Sequence, residues 1–167
     1  MAHPETASPD TYLLLDVAGT PCALPRAAAG EILPLPELFR PPAAGAWLAG
    51  FLNLGGTPVP VIDLARLLGL RAGDHEPDAY AHLVLSPDAA SALLVDRVTD
   101  LVAVEADAVR SVADDRSLNG CVAAEIRRGD RLVHALDPAR ILTAEERARV
   151  AELTRAAAAR LAALPAA

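Results

Sequence analysis

The chain has 167 residues, enough to bury roughly two-thirds of the surface it exposes when unfolded, so it needs neither a disulfide nor a metal to fold. Its net charge is −7, every cation is arginine, and no basic stripe runs through it, which argues against direct nucleic-acid binding. The apolar fraction is 53% but the aromatic fraction only 3%, so aliphatic packing by Ala, Leu and Val must fill the core.

Residues 1–10 form a polar, proline-containing tail without the basic and apolar regions of a signal peptide, and disorder is expected there. Tyr12–Val17 reads as a strand, Ala18-Gly19-Thr20 as a turn, and Pro21–Pro25 as the returning strand. Arg26 to Leu33 reads as a helical turn followed by a strand containing Gly30-Glu31-Ile32-Leu33. Pro34 to Ala46 carries Pro34, Pro36, Pro41 and Pro42 and is a loop. Trp47, the single tryptophan, is expected as a half-buried anchor beside the next element.

That next element is the most informative stretch of the chain. Gly50-Phe51-Leu52-Asn53-Leu54 and Thr57-Pro58-Val59-Pro60-Val61-Ile62 are apolar runs separated by Gly55-Gly56, which predicts a β-hairpin. Asp63 closes the second run and precedes Leu64-Ala65-Arg66-Leu67-Leu68-Gly69, the pattern of a capped short helix ending on glycine. The alternate prolines imply that one side of their strand lies at a sheet edge or that its pairing is interrupted.

A polar loop, Arg71 to Asp78, follows. Two strands, Ala81–Leu85 and Ser91–Val95, flank a Ser86-Pro87-Asp88 turn. Val95-Asp96-Arg97-Val98 opens a further strand to Val104, whose apolar spacing suits a bulge or twist. Glu105 to Ser117 is acidic and irregular, anchored by Val109 and Val112. Leu118–Ile126 and Arg131–Leu136 are expected as a hairpin turning at Arg127–Asp130. Asp137 then stands before Pro138-Ala139-Arg140, and Ile62-Asp63-Leu64-Ala65-Arg66 is echoed by Leu136-Asp137-Pro138-Ala139-Arg140 at an offset of 74 residues. Each Asp fits a helix cap, and Pro138 a first helical position. The echo suggests two small lobes of similar plan.

Thr143 and Glu146 form a capping box, and Val150, Leu153, Ala157, Leu161 and Leu164 fall on one helical face. This C-terminal helix is expected to dock on the second lobe. Its polar face lacks the basic character of a membrane-surface helix, and no apolar run is long enough to span a bilayer. Cys22 and Cys121 sit in apolar surroundings and read as buried thiols. His3, His75, His82 and His134 are scattered, and no HExxH, GxSxG, P-loop or GxGxxG occurs. The chain is therefore read as non-enzymatic, with no cofactor and no metal.

The central stretch resembles the signature of the CheW family, the coupling proteins of bacterial chemosensory arrays, in Gly50, Asn53, Leu54, Gly56, Pro60, Val61, Ile62, Asp63 and Leu64. Glu31-Ile32, the Val95-Asp96-Arg97-Val98 run, Gly120 and Leu136-Asp137 match further family positions. The family's arginine before the hairpin glycine is replaced here by Gly55. The resemblance implies a mainly β fold: a CheW-like pair of five-stranded SH3-like β-barrels with short helices, occupying residues 11–142, followed by the amphipathic helix at 143–165. It implies an adaptor that joins the cytoplasmic hairpin tip of chemoreceptors to the regulatory domain of the histidine kinase CheA by protein contacts alone, in the cytoplasm and without membrane insertion. The interface positions implied are Glu31, Ile32, Asn53, Leu54, Gly55, Val98 and Leu101. As apolar strand residues, Leu54 and Leu101 fit a core position better than an interface. A second reading is a divergent SH3-like double-barrel docking or sensor module with no receptor–kinase coupling role.

Overall fold

The computed structural model describes residues 10–41, 45–73, 76–112 and 118–164. The expected N-terminal tail up to residue 9, His3, His75 and part of the acidic segment lie outside the described residues.

Among the described residues, eleven strands form two mixed sheets. In chain order they are β1 (Asp10–Val17), β2 (Thr20–Pro25), β3 (Ile32–Pro34), β4 (Leu48–Leu54), β5 (Thr57–Asp63), β6 (His82–Leu85), β7 (Ala92–Val95), β8 (Arg97–Val104), β9 (Val109–Ser111), β10 (Val122–Arg128) and β11 (Arg131–Leu136). Helix α1 (Leu64–Leu67) follows β5, and α2 (Ala144–Ala163) closes the chain. One sheet has the order β8-β1-β2-β11-β10-β9, the other β3-β6-β7-β5-β4.

The echo seen in the sequence has a structural counterpart. Reading each sheet from β8 or from β3, the pairings run antiparallel, antiparallel, parallel, antiparallel. Thus β10–β11 corresponds to β4–β5, and the N-terminal hairpin β1–β2 corresponds to β6–β7. The second lobe, β3 to β7, is inserted between β2 and β8 of the first. The parallel contacts match in detail, for Val61 pairs with Ala92 in one sheet and Ala135 with Ala23 in the other. All four residues of these pairs are buried.

Strand alternation explains why so many strands are apolar on both faces. On β1, Leu14 faces the interior of the first lobe with Ile126 and Val133, while Leu13, Leu15 and Val17 enter a core shared by both lobes. On β5, Val59 and Val61 face the second lobe's interior with Leu83 and Leu85, and Ile62 enters the shared core. Cys22 and Cys121 are buried in that core, and Trp47 packs half-buried against it.

Strand β5 lies inside its sheet, between β7 and β4, so it is not an edge strand. Interrupted pairing is what accommodates its prolines. The Phe51 N–H and C=O both bond to Phe39, on the side away from β5 (2.6 and 2.9 Å), so Phe51↔Pro60 is a non-hydrogen-bonded pair. Pro58 has the same parity, and β7 pairs with β5 only from Val61 onward. The missing N–H groups therefore leave no gap in either ladder.

Two expectations are corrected. Leu118–Gly120 is a 3-10 turn rather than strand, because Asn119 (φ 50°) and Gly120 (φ 75°) take left-handed conformations. Asn119 Nδ2 there donates to Leu67 O at 2.8 Å, tying α1 to the start of β10. Helix α2 packs chiefly on β5, in the inserted lobe of β3 to β7, rather than on the lobe of the later echo at Asp137 that the sequence suggests, and sends Val150, Leu153 and Ala157 into the shared core. Its start is fixed by the capping box: the Glu146 N–H donates to Thr143 Oγ1 at 3.1 Å and the Thr143 N–H donates to Glu146 Oε1 at 2.8 Å. The bulge expected in β8 is present, since Leu14 pairs with Asp100 and Leu15 with Val98, leaving Thr99 as the extra residue.

Candidate functional site: a groove where the lobes meet

The first lobe's edge strand β8 and the second lobe's edge strand β3 border an open groove of about 340 Å³. Leu13 is buried within its lining, Ala29 and Gly30 form one side, and Ile32, Val98 and Leu101 supply the apolar walls. Arg26 and Asp100 also line it.

Each wall has a local cause. Proline 25 precedes a 3-10 turn at Arg26–Ala28, whose end is held by Arg26 Nη1 donating to Ala29 O at 2.8 Å. Gly30 then passes so close to β6 that a Cβ would lie 2.7 Å from Ser86 O. That approach lets the Gly30 N–H donate to Leu85 O (2.7 Å) and the Leu85 N–H donate to Glu31 O (2.9 Å). Glu31 and Ile32 are thereby presented on the surface, Ile32 being 40% exposed.

The opposite wall is set by Asp96, between β7 and β8. Its carboxylate accepts from the Ala18 N–H and from Arg71 Nη2, the latter at 3.1 Å to each oxygen. Val98 is held by its own N–H donating to His82 Nδ1 at 3.1 Å, a strand histidine used structurally. Leu101 stands just beyond the bulge and is 51% exposed.

The seven positions implied by the family resemblance fall into two groups. Ile32, Val98 and Leu101 line the groove, with Glu31 adjoining Ile32 in the chain. Asn53, Leu54 and Gly55 sit together at the β4–β5 hairpin tip, outside the groove lining. There the Gly56 N–H donates to Asn53 Oδ1 at 2.8 Å, and Gly55 (φ 61°) and Gly56 (φ 92°) make a two-residue turn with both φ values positive. The core assignment of Leu54 and Leu101 is corrected: Leu54 is 39% exposed because it ends β4 at the hairpin tip, beyond the buried Phe51 and Leu52, and Leu101 is 51% exposed because it lies on the outward face of the edge strand β8. Sequence reasoning missed Leu13, Arg26, Ala29, Gly30 and Asp100 as groove residues. Gly30, a glycine immediately before a strand, was the one local signal of a close approach.

The groove offers apolar walls flanked by opposite charges, on a rigid two-sheet frame. The class of molecule is a two-lobed β protein in which one lobe is inserted into the other around a shared core. The chain belongs to the CheW-like domain family, whose model matches residues 11–146. Among solved structures, the scaffolding protein TtCheW from Thermoanaerobacter tengcongensis is similar in fold, with a TM-score of 0.68 and 16% identity over 83% of this chain and 90% of that one. No curated protein sequence matches the chain. Among the described residues no helix is long and apolar enough to cross a membrane.

Proposed function

We propose that this protein is a non-enzymatic chemotaxis adaptor that couples chemoreceptors to the histidine kinase CheA. The observation that carries this reading is the match to the CheW-like family over residues 11–146, on a fold whose two lobes leave an apolar groove between β3 and β8. In this reading the groove takes the helical tip of a receptor hairpin, with Ile32, Val98 and Leu101 against its apolar face and Glu31 on the rim. The hairpin tip of Asn53, Leu54 and Gly55 contacts the CheW-like regulatory domain of the kinase. Residues 11–142 are the coupling unit, and the helix beyond is an addition that braces the shared core. Such a protein works in the cytoplasm, peripheral to membrane-associated receptor arrays, with no cofactor.

Calorimetric titration with the regulatory domain of a CheA from the same source, and separately with a receptor hairpin fragment, tests the proposal. Leu101→Asp, at a half-exposed position, is expected to weaken receptor binding and leave kinase binding intact, and Leu54→Arg to do the reverse. Absence of saturable binding to either partner rejects the coupling role. One observation favours the second reading, a docking or sensor module outside receptor–kinase coupling: Gly55 supplies neither the charge nor the hydrogen bonds of the family's arginine. Kinase binding would then be absent while the groove still bound a helix.

A further inference from the structure

His82 opens β6 on the strand face of Val84 and opposite Val95, the face that looks into the shared core and not into the second lobe's own interior. From there its ring reaches the other lobe, where the Val98 N–H donates to Nδ1 at 3.1 Å. Among the described residues β8 pairs with β1 alone, so this N–H lies on the open side of an edge strand and His82 is what satisfies it. The bond falls at the start of the bulge: Val98 pairs with Leu15, Thr99 is the extra residue, and pairing resumes at Asp100. Val98, Thr99, Asp100 and Leu101 make the β8 wall of the groove, while Ile32 of the opposite wall belongs to β3, the strand beside β6. One ring nitrogen thus ties together two walls that come from different lobes.

A nitrogen that accepts must carry a lone pair, so this bond exists only while the ring is neutral with its proton on Nε2. A proton added from solvent at Nδ1 makes both ring nitrogens donors and sets two N–H groups against each other. The Val98 N–H then loses its partner, and the bulged wall loses its tie to the second lobe. Histidine is the side chain whose charge ordinarily changes between about pH 5 and 8.

The strands on either side of β6 present Pro34 and Val95 to the ring and carry no titratable residue. From β8 and its approach come Arg97, paired with Asp78 at 3.2 Å, Asp96, paired with Arg71 at 3.1 Å, and Asp100, which accepts from the Leu101 N–H at 2.8 Å. Tyr80, just before β6, lies under the Arg97 guanidinium, and Asp16 of β1 accepts from the Gly19 N–H. Arg26 and Glu31 stand on the far side of the groove. Among the described residues none of these carboxylates pairs with His82.

We propose that His82 is a positioning residue of the groove: the neutral ring holds the Val98 wall against the second lobe, protonation releases it, and docking in the groove weakens as pH falls. The docking part rests on the reading of the groove as the receptor site.

Nuclear magnetic resonance of the free protein, and calorimetry with the receptor hairpin fragment, both from about pH 8 to 5.5, test this. The Val98 amide signal is expected to move with the same midpoint as the His82 ring signal. In His82→Asn, whose Oδ1 replaces Nδ1 as acceptor and does not titrate, it should stay in place. Affinity for the hairpin fragment should fall about fivefold over that range in the parent and in His134→Gln, about the worth of one hydrogen bond, and less than about twofold in His82→Asn. A Val98 amide that does not follow the His82 ring, or an equal pH dependence of affinity in the parent and in His82→Asn, overturns the proposal. A hairpin fragment that binds at no pH rejects the receptor reading instead, and the Val98 amide alone then decides the positioning role.

Discussion

Replacing Asp63 and Asp137 by alanine, one at a time, measures how much the two echoed caps differ when burial is the main variable. Both carboxylates cap the turn that follows their strand. Asp63 Oδ1 accepts from the Arg66 N–H at 3.3 Å and Asp137 Oδ1 from the Ala139 N–H at 3.0 Å. Each also pairs with an arginine three residues on, Arg66 Nε at 3.3 Å and Arg140 Nε at 3.0 Å. The side chains of Arg66 and Asp63 are only 17% and 10% exposed, against 43% and 29% for Arg140 and Asp137. Losing a cap costs about 1 kcal/mol in either lobe. Losing the partner of a mostly buried guanidinium adds about 1–3 kcal/mol at Arg66, whereas the exposed pair at Arg140 adds less than about 0.5 kcal/mol. Asp63→Ala should therefore cost about 2–4 kcal/mol and Asp137→Ala about 1 kcal/mol. For a chain of this size those are melting-temperature losses of roughly 4–16 °C and 2–4 °C. Thermal unfolding followed by circular dichroism reads both. An Asp137→Ala loss equal to or larger than that of Asp63→Ala would refute the burial argument.

Gly50 has φ 147°, and a Cβ there would lie 2.7 Å from Phe39 O. Gly50→Ala should thus break the Phe39–Phe51 bridge and cost about 1–3 kcal/mol, seen in urea melts; an unchanged midpoint contradicts it. At Gly55, φ is 61° and nothing lies within 4 Å of a built Cβ, so backbone conformation and not space limits substitution. Gly55→Arg should lose about 1–2 kcal/mol and Gly55→Asn less, and equal stability of the two variants would count against this. Burial, followed by the charge of Asp16, pushes the Cys22 thiol up to about 12 from 9.0. The folded state therefore holds this proton where the unfolded chain releases it, so the contribution is constant below about pH 9 and stability falls as pH rises from there toward 12. Cys22→Ala, compared with the parent by urea melts across that range, should show a shallower alkaline decline; identical slopes would refute the assignment.

Much of the frame was legible because local and global signals agree. The Gly55-Gly56 turn, the Asp63 cap with Gly69 (φ 73°) behind it, and the Thr143–Glu146 capping box each needed only residues within one turn of chain, and each stands as read. What failed depended on position within a sheet. Leu54 and Leu101 look like core residues because their strands are apolar, yet Leu54 closes the hairpin tip beyond the packed part of β4 and Leu101 faces outward on the edge strand β8, and sequence says neither how far the packing reaches nor which strand ends at an edge. Strand β9 hides in the acidic segment, since its three residues gain strand geometry only by pairing with Ala124–Ile126. The same limit kept the groove partly hidden. Ile32 and Val98 are separated by 66 positions and meet only through the insertion of one lobe into the other.

That insertion also explains why the groove can be both apolar and stable. The first lobe is not a continuous piece of chain, and each lobe, besides its own interior, turns a face to the shared core. The first lobe needs β1 and β2 from the N-terminus and β8 to β11 from the other end, and the strands of the second lobe turn one face inward and the other toward the shared core. Moving one lobe against the other would expose Leu13, Leu15, Val17, Ile62 and Leu64 together, at about 1.5–3 kcal/mol for each large side chain. The walls at Ile32 and Val98 are therefore fixed relative to each other before any partner arrives. Side chains that stay half-exposed on such a frame lose little conformational entropy on docking beyond their own rotamers, which is the physical advantage of a preformed groove over one assembled on binding.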